Sequence, residues 1–159
     1  NTYGRSKLEG EKLVRKYLDE FYILRTSLLY GENRENFVTK IIAKAKRNEV
    51  ITVPDDMIGS PTWTAELARQ IEKIIKAKPA YGIYHAVNTG YCSRYEWAKK
   101  IIEFAGLKAE IITIKSETIK SKAERPLFSS LGNYNLIKND INIMRPWEDA
   151  LKEFLILVK

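Results

Sequence analysis

Short runs of β-branched and aromatic residues alternate along this chain with longer stretches whose apolar residues recur at helical spacing, and this alternation limits the fold more than any other feature. Phe21 to Thr26, Val50 to Val53, Gly82 to Val87 and Ile111 to Ile114 read as strands, the first of them buried. Helices are expected from about Thr2 to Leu18, from Glu35 to Arg47, from Thr64 through Ile75, from Ser93 to Ala105 and from Pro146 to about Leu157. Helix and strand in succession is the pattern of an α/β architecture with some parallel pairing. The 159 residues suffice for one domain with its own core, and neither an internal repeat nor a linker divides them.

Local signals refine these elements. Leu8, Leu13, Val14, Tyr17 and Leu18 give the first helix an apolar stripe, and Phe37, Ile41, Ile42 and Ala45 do the same for the second. Tyr30 to Asn33 reads as a turn between them. Thr64 is placed to cap the third helix, whose inward face reads as Leu67, Ala68, Ile71 and Ile75. Ser93 and Glu96 have the spacing of a capping box, and Gly106 suits the end of the helix they open. Pro54 stops a strand, Asp55 to Thr62 reads as a loop, and Lys115 to Ser130 as a polar connection. Pro146 suits a first helical turn.

Composition excludes several function classes. With 45% hydrophobic and 30% charged residues the chain is globular, and no apolar run approaches the ~20 residues that cross a bilayer, so no membrane partner is expected. A single cysteine, Cys92, rules out an internal disulfide and suits the cytoplasm; His85 is the one histidine, so a His/Cys metal site is not expected. The formal charge of +7 invites a nucleic-acid reading. Most lysines, however, alternate with acids or sit on outer helix faces, and the densest cluster, Lys44 to Arg47, lies at a helix end where cations favour the dipole. No nucleic-acid module accompanies it. His85, Cys92, Trp63, Trp97 and Trp147 read as packing residues.

The chemistry is concentrated at the start of the chain. Tyr3 and Lys7, four apart on a helix, lie on one side of it. An ammonium a few ångströms from a phenol favours the phenolate form, so such a pair can protonate an oxygen that turns negative when a carbonyl receives hydride. The spacing alone is weak, because roughly one such pair is expected by chance, and Tyr95 with Lys99 and Tyr134 with Lys138 repeat it. The surroundings single out Tyr3.

Tyr3-Gly4-Arg5-Ser6-Lys7-Leu8-Glu9-Gly10-Glu11 is followed by Arg25 to Gly31, then by Asp55, Asp56, Gly59, Ser60, Pro61 and Thr62, then by Gly82, Tyr84 and His85. Cys92, Ser93, Tyr95, Glu96 and Ala98 come next, then Arg125, Pro126, Ser129 and Leu131, and last Pro146 and Trp147. In this order the residues resemble the dTDP-4-dehydrorhamnose reductases, a branch of the extended short-chain dehydrogenase/reductases. The resemblance covers the second half of that family's sequence. It implies the C-terminal part of an NAD(P)-binding, Rossmann-like fold with its substrate-binding portion, and residues 1–159 as a single α/β unit.

The implied activity is reduction of the C4 carbonyl of a nucleotide-linked sugar, in the first place dTDP-4-dehydro-L-rhamnose to dTDP-L-rhamnose. Tyr3 would donate the proton, and Lys7 would assist it and bind the nicotinamide ribose. Arg25, Thr26 and Ser27 either line the nicotinamide and sugar or simply cap a strand end. Leu28 stands where the family has a tryptophan against the sugar, which leaves the deoxysugar open. Arg125 pairs with the substrate diphosphate or is structural before Pro126; Asp55, Asp56, Ser60 and Thr62 read better as a turn than as a substrate mouth.

The family's Gly-rich dinucleotide turn has no counterpart here, so the piece is expected to be inactive by itself, with the cofactor NADP or NAD and NADPH favoured by the resemblance. The partners implied are the nucleotide-sugar substrate and a homodimer or companion chain. The alternative is a non-catalytic binding or regulatory subunit of the same fold, like that of methionine adenosyltransferase.

Overall fold

The structure, a computed structural model, describes residues 1–119 and 125–158. In chain order its elements are α1 (Thr2–Tyr17), β1 (Tyr22–Arg25), β2 (Leu29–Tyr30), α2 (Phe37–Lys46), β3 (Ile51–Pro54), β4 (Ile58–Gly59), β5 (Thr62–Trp63) and α3 (Thr64–Ala77). Next come β6 (Gly82–His85), β7 (Cys92–Ser93), α4 (Arg94–Ala105), β8 (Ile111–Ile114), β9 (Phe128–Ser129), α5 (Tyr134–Lys138) and α6 (Trp147–Leu157). A short 3-10 turn covers Ser116–Thr118; residues 120–124 of the expected polar connection lie outside the described residues.

Parallel pairing dominates. β1 runs beside β6 with Tyr22 opposite Gly82 and Arg25 opposite His85, and β3 runs beside β8 with Ile51 opposite Ile111. β2 and β5 make a third parallel pair, while β4 joins β7 antiparallel and β9 parallel. Parallel neighbours need long crossovers, and helices supply them here.

Two apolar clusters hold these layers. The larger joins Val38, Ile41 and Ala45 of α2, Ile51 and Val53 of β3, Trp97 and Ile101 of α4 and Leu151 and Phe154 of α6. Tyr30 meets Trp97 and Phe154 edge-on, at ring separations of 5.6 and 5.1 Å. The smaller packs Ile74, Tyr84, Leu136 and Met144 beneath β1 and β6. All three tryptophans and Cys92 are buried, as their composition implies.

Several expectations need correction. The strand at Tyr22–Arg25 is half-buried, not buried, because β6 is its one partner among the described strands and Tyr22 and Leu24 cover a single face. The stripe on α1 buries no residue at all. In α2 the innermost side chain is Val38, and Phe37 sits half-covered at the edge of a cleft. α3 is turned from its expected face: Glu66, Gln70 and Ile74 are buried, whereas Ile71 and Ile75 are 38% and 60% exposed.

The cause of that rotation is polar. Arg145 binds Glu66, and Gln70 donates to Ile141 O at 3.0 Å while accepting from Ile143 N at 2.9 Å. Thr64 begins α3 rather than capping it, and Trp63 occupies the cap position without a side-chain bond. Pro146 likewise takes the cap position of α6. The loop after β3 contains β4 and β5, Tyr30 closes β2 as a buried residue, and His85 is only half-buried. The capping box of Ser93 and Glu96 forms as read, and Gly106 ends α4 at φ 67°.

Candidate active site

Asn1 sets the start of α1 by accepting a hydrogen bond from Gly4 N at 2.7 Å. Tyr3 and Lys7 then lie one turn apart, and Lys7 Nζ is 5.4 Å from the centre of the Tyr3 ring. Tyr3 is 68% exposed, so most of its ring lies open beside that ammonium. One further turn along the same side is Glu11. Arg25 at the end of β1 grips it with two bonds, Nε to Oε1 at 2.8 Å and Nη2 to Oε2 at 2.5 Å.

The hydrogen bond from Arg25 holds the Glu11 carboxyl below the usual carboxylate range, and the same bond raises Arg25. This ion pair is what fastens α1 to the strand end. It brings the Tyr3–Lys7 side of the helix to the C-terminal edge of a parallel strand, where open α/β sheets take ligands.

Thr26 and Ser27 leave that edge. Thr26 Oγ1 is buried without a hydrogen-bond partner among the described residues, an acceptor and donor left for something else. Leu28 adopts φ 45°, a left-handed conformation that costs a side-chain-bearing residue about 1–2 kcal/mol. Its side chain is half-buried against the larger cluster, and Gly59 leaves it room: a Cβ at 59 would come within 2.7 Å of Leu28 Cδ1. Arg25 therefore sits with Glu11, Thr26 and Leu28 face inward, and the three positions do not share one contact.

A cleft of about 780 Å³ opens elsewhere, between the starts of α2 and α4 and the segment after β8. Arg125 lines it, with Phe37, Asp56, Met57, Arg94 and Leu127. Burial would raise the Asp56 carboxyl, but hydrogen bonds from Ser116 N and Oγ outweigh it and hold the group low. Asp55 pairs with Lys115 at 2.9 Å. Ser60 Oγ donates to Gly90 O at 2.9 Å and Thr62 Oγ1 to Ser60 O at 3.1 Å, both inside the protein. These four side chains tie loops together.

Sequence reasoning missed Glu66, Asn88, Asn133 and Arg94. Glu66 is 3% exposed and pairs with Arg145, which also reaches Glu153 at 2.6 Å. Asn88 Oδ1 accepts from Trp63 N at 2.9 Å, and Asn133 clamps Val87 by accepting from its N–H at 3.1 Å and donating to its carbonyl at 2.8 Å. Charged residues at helix positions and isolated asparagines carry no sequence signal of burial. Of the other Tyr/Lys pairs, Tyr95 packs against the core and Tyr134 is exposed on α5. Burial pushes the Cys92 thiol up, so it stays protonated. Among the described residues no cluster of three His, Cys, Asp or Glu can hold a metal ion, and no helix is long and apolar enough to cross a membrane.

The fold is that of the extended short-chain dehydrogenase/reductases, over the part of it that begins with the Tyr–Lys helix. It superposes on UDP-N-acetylglucosamine 4-epimerase of Bacillus cereus with a TM-score of 0.74 at 19% identity, covering 99% of this chain and 54% of that one, a likeness of fold alone. The chain belongs to the RmlD substrate binding domain family, whose model matches residues 1–159.

Among solved structures it is similar to dTDP-4-dehydrorhamnose reductase from Bacillus anthracis in complex with NADP, with a TM-score of 0.90, 40% identity and coverage of 100% of this chain and 56% of that one. The Clostridium acetobutylicum orthologue gives 0.92 at 37% identity over 98% of this chain and 55% of its own. In sequence it is 39% identical to the spore coat polysaccharide biosynthesis protein SpsK of Bacillus subtilis, over 96% of this chain and 53% of that protein. The chain spans about half the length of the curated relatives it matches.

Proposed function

We propose that this chain is the C-terminal portion of an NADPH-dependent nucleotide-sugar 4-ketoreductase acting on dTDP-4-dehydro-L-rhamnose. Residues 1–159 combine the end of the cofactor domain with the substrate-binding part in a single α/β unit. The observation that carries the reading is the Tyr3–Lys7 side of α1, fastened by Glu11 and Arg25 to the end of a parallel strand in a chain of this family.

The residues present fit one end of the cofactor. Thr26 Oγ1 offers an unspent hydrogen-bonding group at the strand end, and Lys7 an exposed ammonium. No Gly-rich turn for the pyrophosphate occurs in the sequence. NADPH is preferred because the Bacillus anthracis relative was solved with NADP. When bound, the nicotinamide supplies the hydride.

Tyr3 Oη gives its proton to the alkoxide forming at C4. The positive charge of Lys7 stabilises the phenolate left behind, and its ammonium would hold the nicotinamide ribose when the cofactor is bound. Ser27, buried at the strand end, and Leu28, half-covered by the core, would offer the sugar only the parts of their side chains left open, and Arg125 would pair with the diphosphate through its guanidinium fork. The test is to express the protein with the preceding half characteristic of its relatives and follow NADPH oxidation with dTDP-4-dehydrorhamnose. Turnover that requires both halves supports the reading; no oxidation by a folded, cofactor-bound protein refutes it.

A further inference from the structure

We propose that Arg94 is a binding residue, the second guanidinium of a two-arginine site that, with Arg125, holds the diphosphate of a nucleoside-diphosphate sugar. The proposal rests on the reductase reading for its ligand class, and its geometry belongs to the cleft described above.

Arg94 is the first residue of α4, and its side chain is fixed before any ligand arrives. Its guanidinium carbon lies 4.9 Å from the Phe37 ring centre and 5.3 Å from that of Trp97. Those two rings stack on each other at 4.6 Å and 28°. A cation over aromatic faces is attracted by their quadrupoles and loses little conformational freedom when it takes up an anion.

The charge itself has no carboxylate partner among the described residues. Of the acids lining the same cleft, Glu35 pairs with Lys40 at 3.0 Å and Asp56 with Ser116, and none of them, Glu117 included, makes an ion pair with Arg94. Arg94 is instead half-buried and faces a like charge. Burial first, and the positive Arg125 second, pull its pKa down to about 10. Two guanidinium groups facing one cleft, neither ion-paired among the described residues, repel each other, and a bound anion offsets that repulsion and pairs both charges. A diphosphate supplies oxygens for two forks. Phe37, Met57 and Leu127 on the same walls offer apolar surface to a base, and about 780 Å³ is the scale of a small-molecule site.

The arrangement gives opposite signs to binding and stability, which separates it from a packing role. Arg94→Met keeps an unbranched apolar chain against the two rings and removes the charge. Titrating dTDP into the chain, with calorimetry and thermal melting, should show binding that inorganic pyrophosphate competes away. The Met variant should bind dTDP about 10- to 100-fold more weakly, the scale of a lost charge-assisted hydrogen bond. Its unliganded melting temperature should stay level or rise.

A lower melting temperature with unchanged dTDP affinity would make Arg94 a packing residue and end the proposal, as would a wild-type chain that binds no dTDP or whose dTDP pyrophosphate does not displace. Should the Met variant not fold, Arg94→Gln is read by the same outcomes. Arg94-dependent dTDP binding in a protein that never oxidises NADPH leaves this inference standing and ends the reductase reading. Oxidation with an unaltered Michaelis constant in the Arg94 variant does the reverse.

Discussion

Tyr3 and Lys7 stand apart from the chain's two other Tyr/Lys pairs by what lies around them. Tyr95 is held in the core by packing, and Tyr134 sits on a five-residue helix. Tyr3 alone continues, one and two turns on, into Lys7 and an acid that grips a strand end. In the complete protein, Tyr3→Phe keeps the ring and removes the proton, so turnover should fall by roughly 100-fold or more. Tyr95→Phe should change it by a few-fold. Steady-state rates of the two variants decide the matter, and similar losses at both would refute the role of Tyr3.

Among the elements, α1 is fastened by charge rather than by apolar area, and polar partners decide which face α3 turns inward. α1 buries nothing, and its fastening is the Glu11–Arg25 pair, an exposed contact of about 1 kcal/mol or less. Because Arg25 depresses the folded Glu11 value, the stabilisation is fully present above about pH 4.5, the unpaired value, and drains as pH falls through the depressed one. Amide exchange should therefore show α1 losing protection as pH falls below the ordinary carboxylate range while α4 keeps its own. Glu11→Gln should remove that pH dependence.

α3 depends on a deeper pair. Arg145→Met strands the buried Glu66 carboxylate and should cost about 2–3 kcal/mol, a fall in melting temperature of roughly 5–10 °C. Adding Glu66→Leu should restore part of the loss, since the apolar pair leaves no charge behind. A double variant that melts below the single one would contradict this account.

For the whole molecule the uneven cover of its surface is decisive. Tyr3, Leu8, Leu13 and Tyr17 are 68%, 46%, 55% and 71% exposed along α1, while the cores beneath α4 and α6 are closed. We propose that a companion segment or a second copy covers this face. On the proposed reading, in which only the nicotinamide end of the cofactor meets residues of this chain, the chain alone should bind NADPH poorly. Titration followed by nicotinamide fluorescence should show no saturable micromolar binding; saturation in that range would refute the division of the cofactor site.

Periodicity and local chemistry determined much of this protein. The α/β alternation, the long helices, the Ser93–Glu96 box and the Gly106 stop all arise from interactions within a few residues, and the Tyr3–Lys7 spacing is local too. The contacts that tertiary structure alone decided lie between distant residues. Glu66 and Gln70 are buried because Arg145 and the Ile141–Ile143 backbone arrive from more than 70 positions away. α1 remains bare although its pattern is amphipathic, since a stripe states only that a face wants cover and not that cover is present. Arg94 became a cleft residue through Phe37 and Arg125, neither of which is its neighbour in sequence. Local free energy shapes elements, but which of their faces meet depends on contacts that no short window of sequence contains.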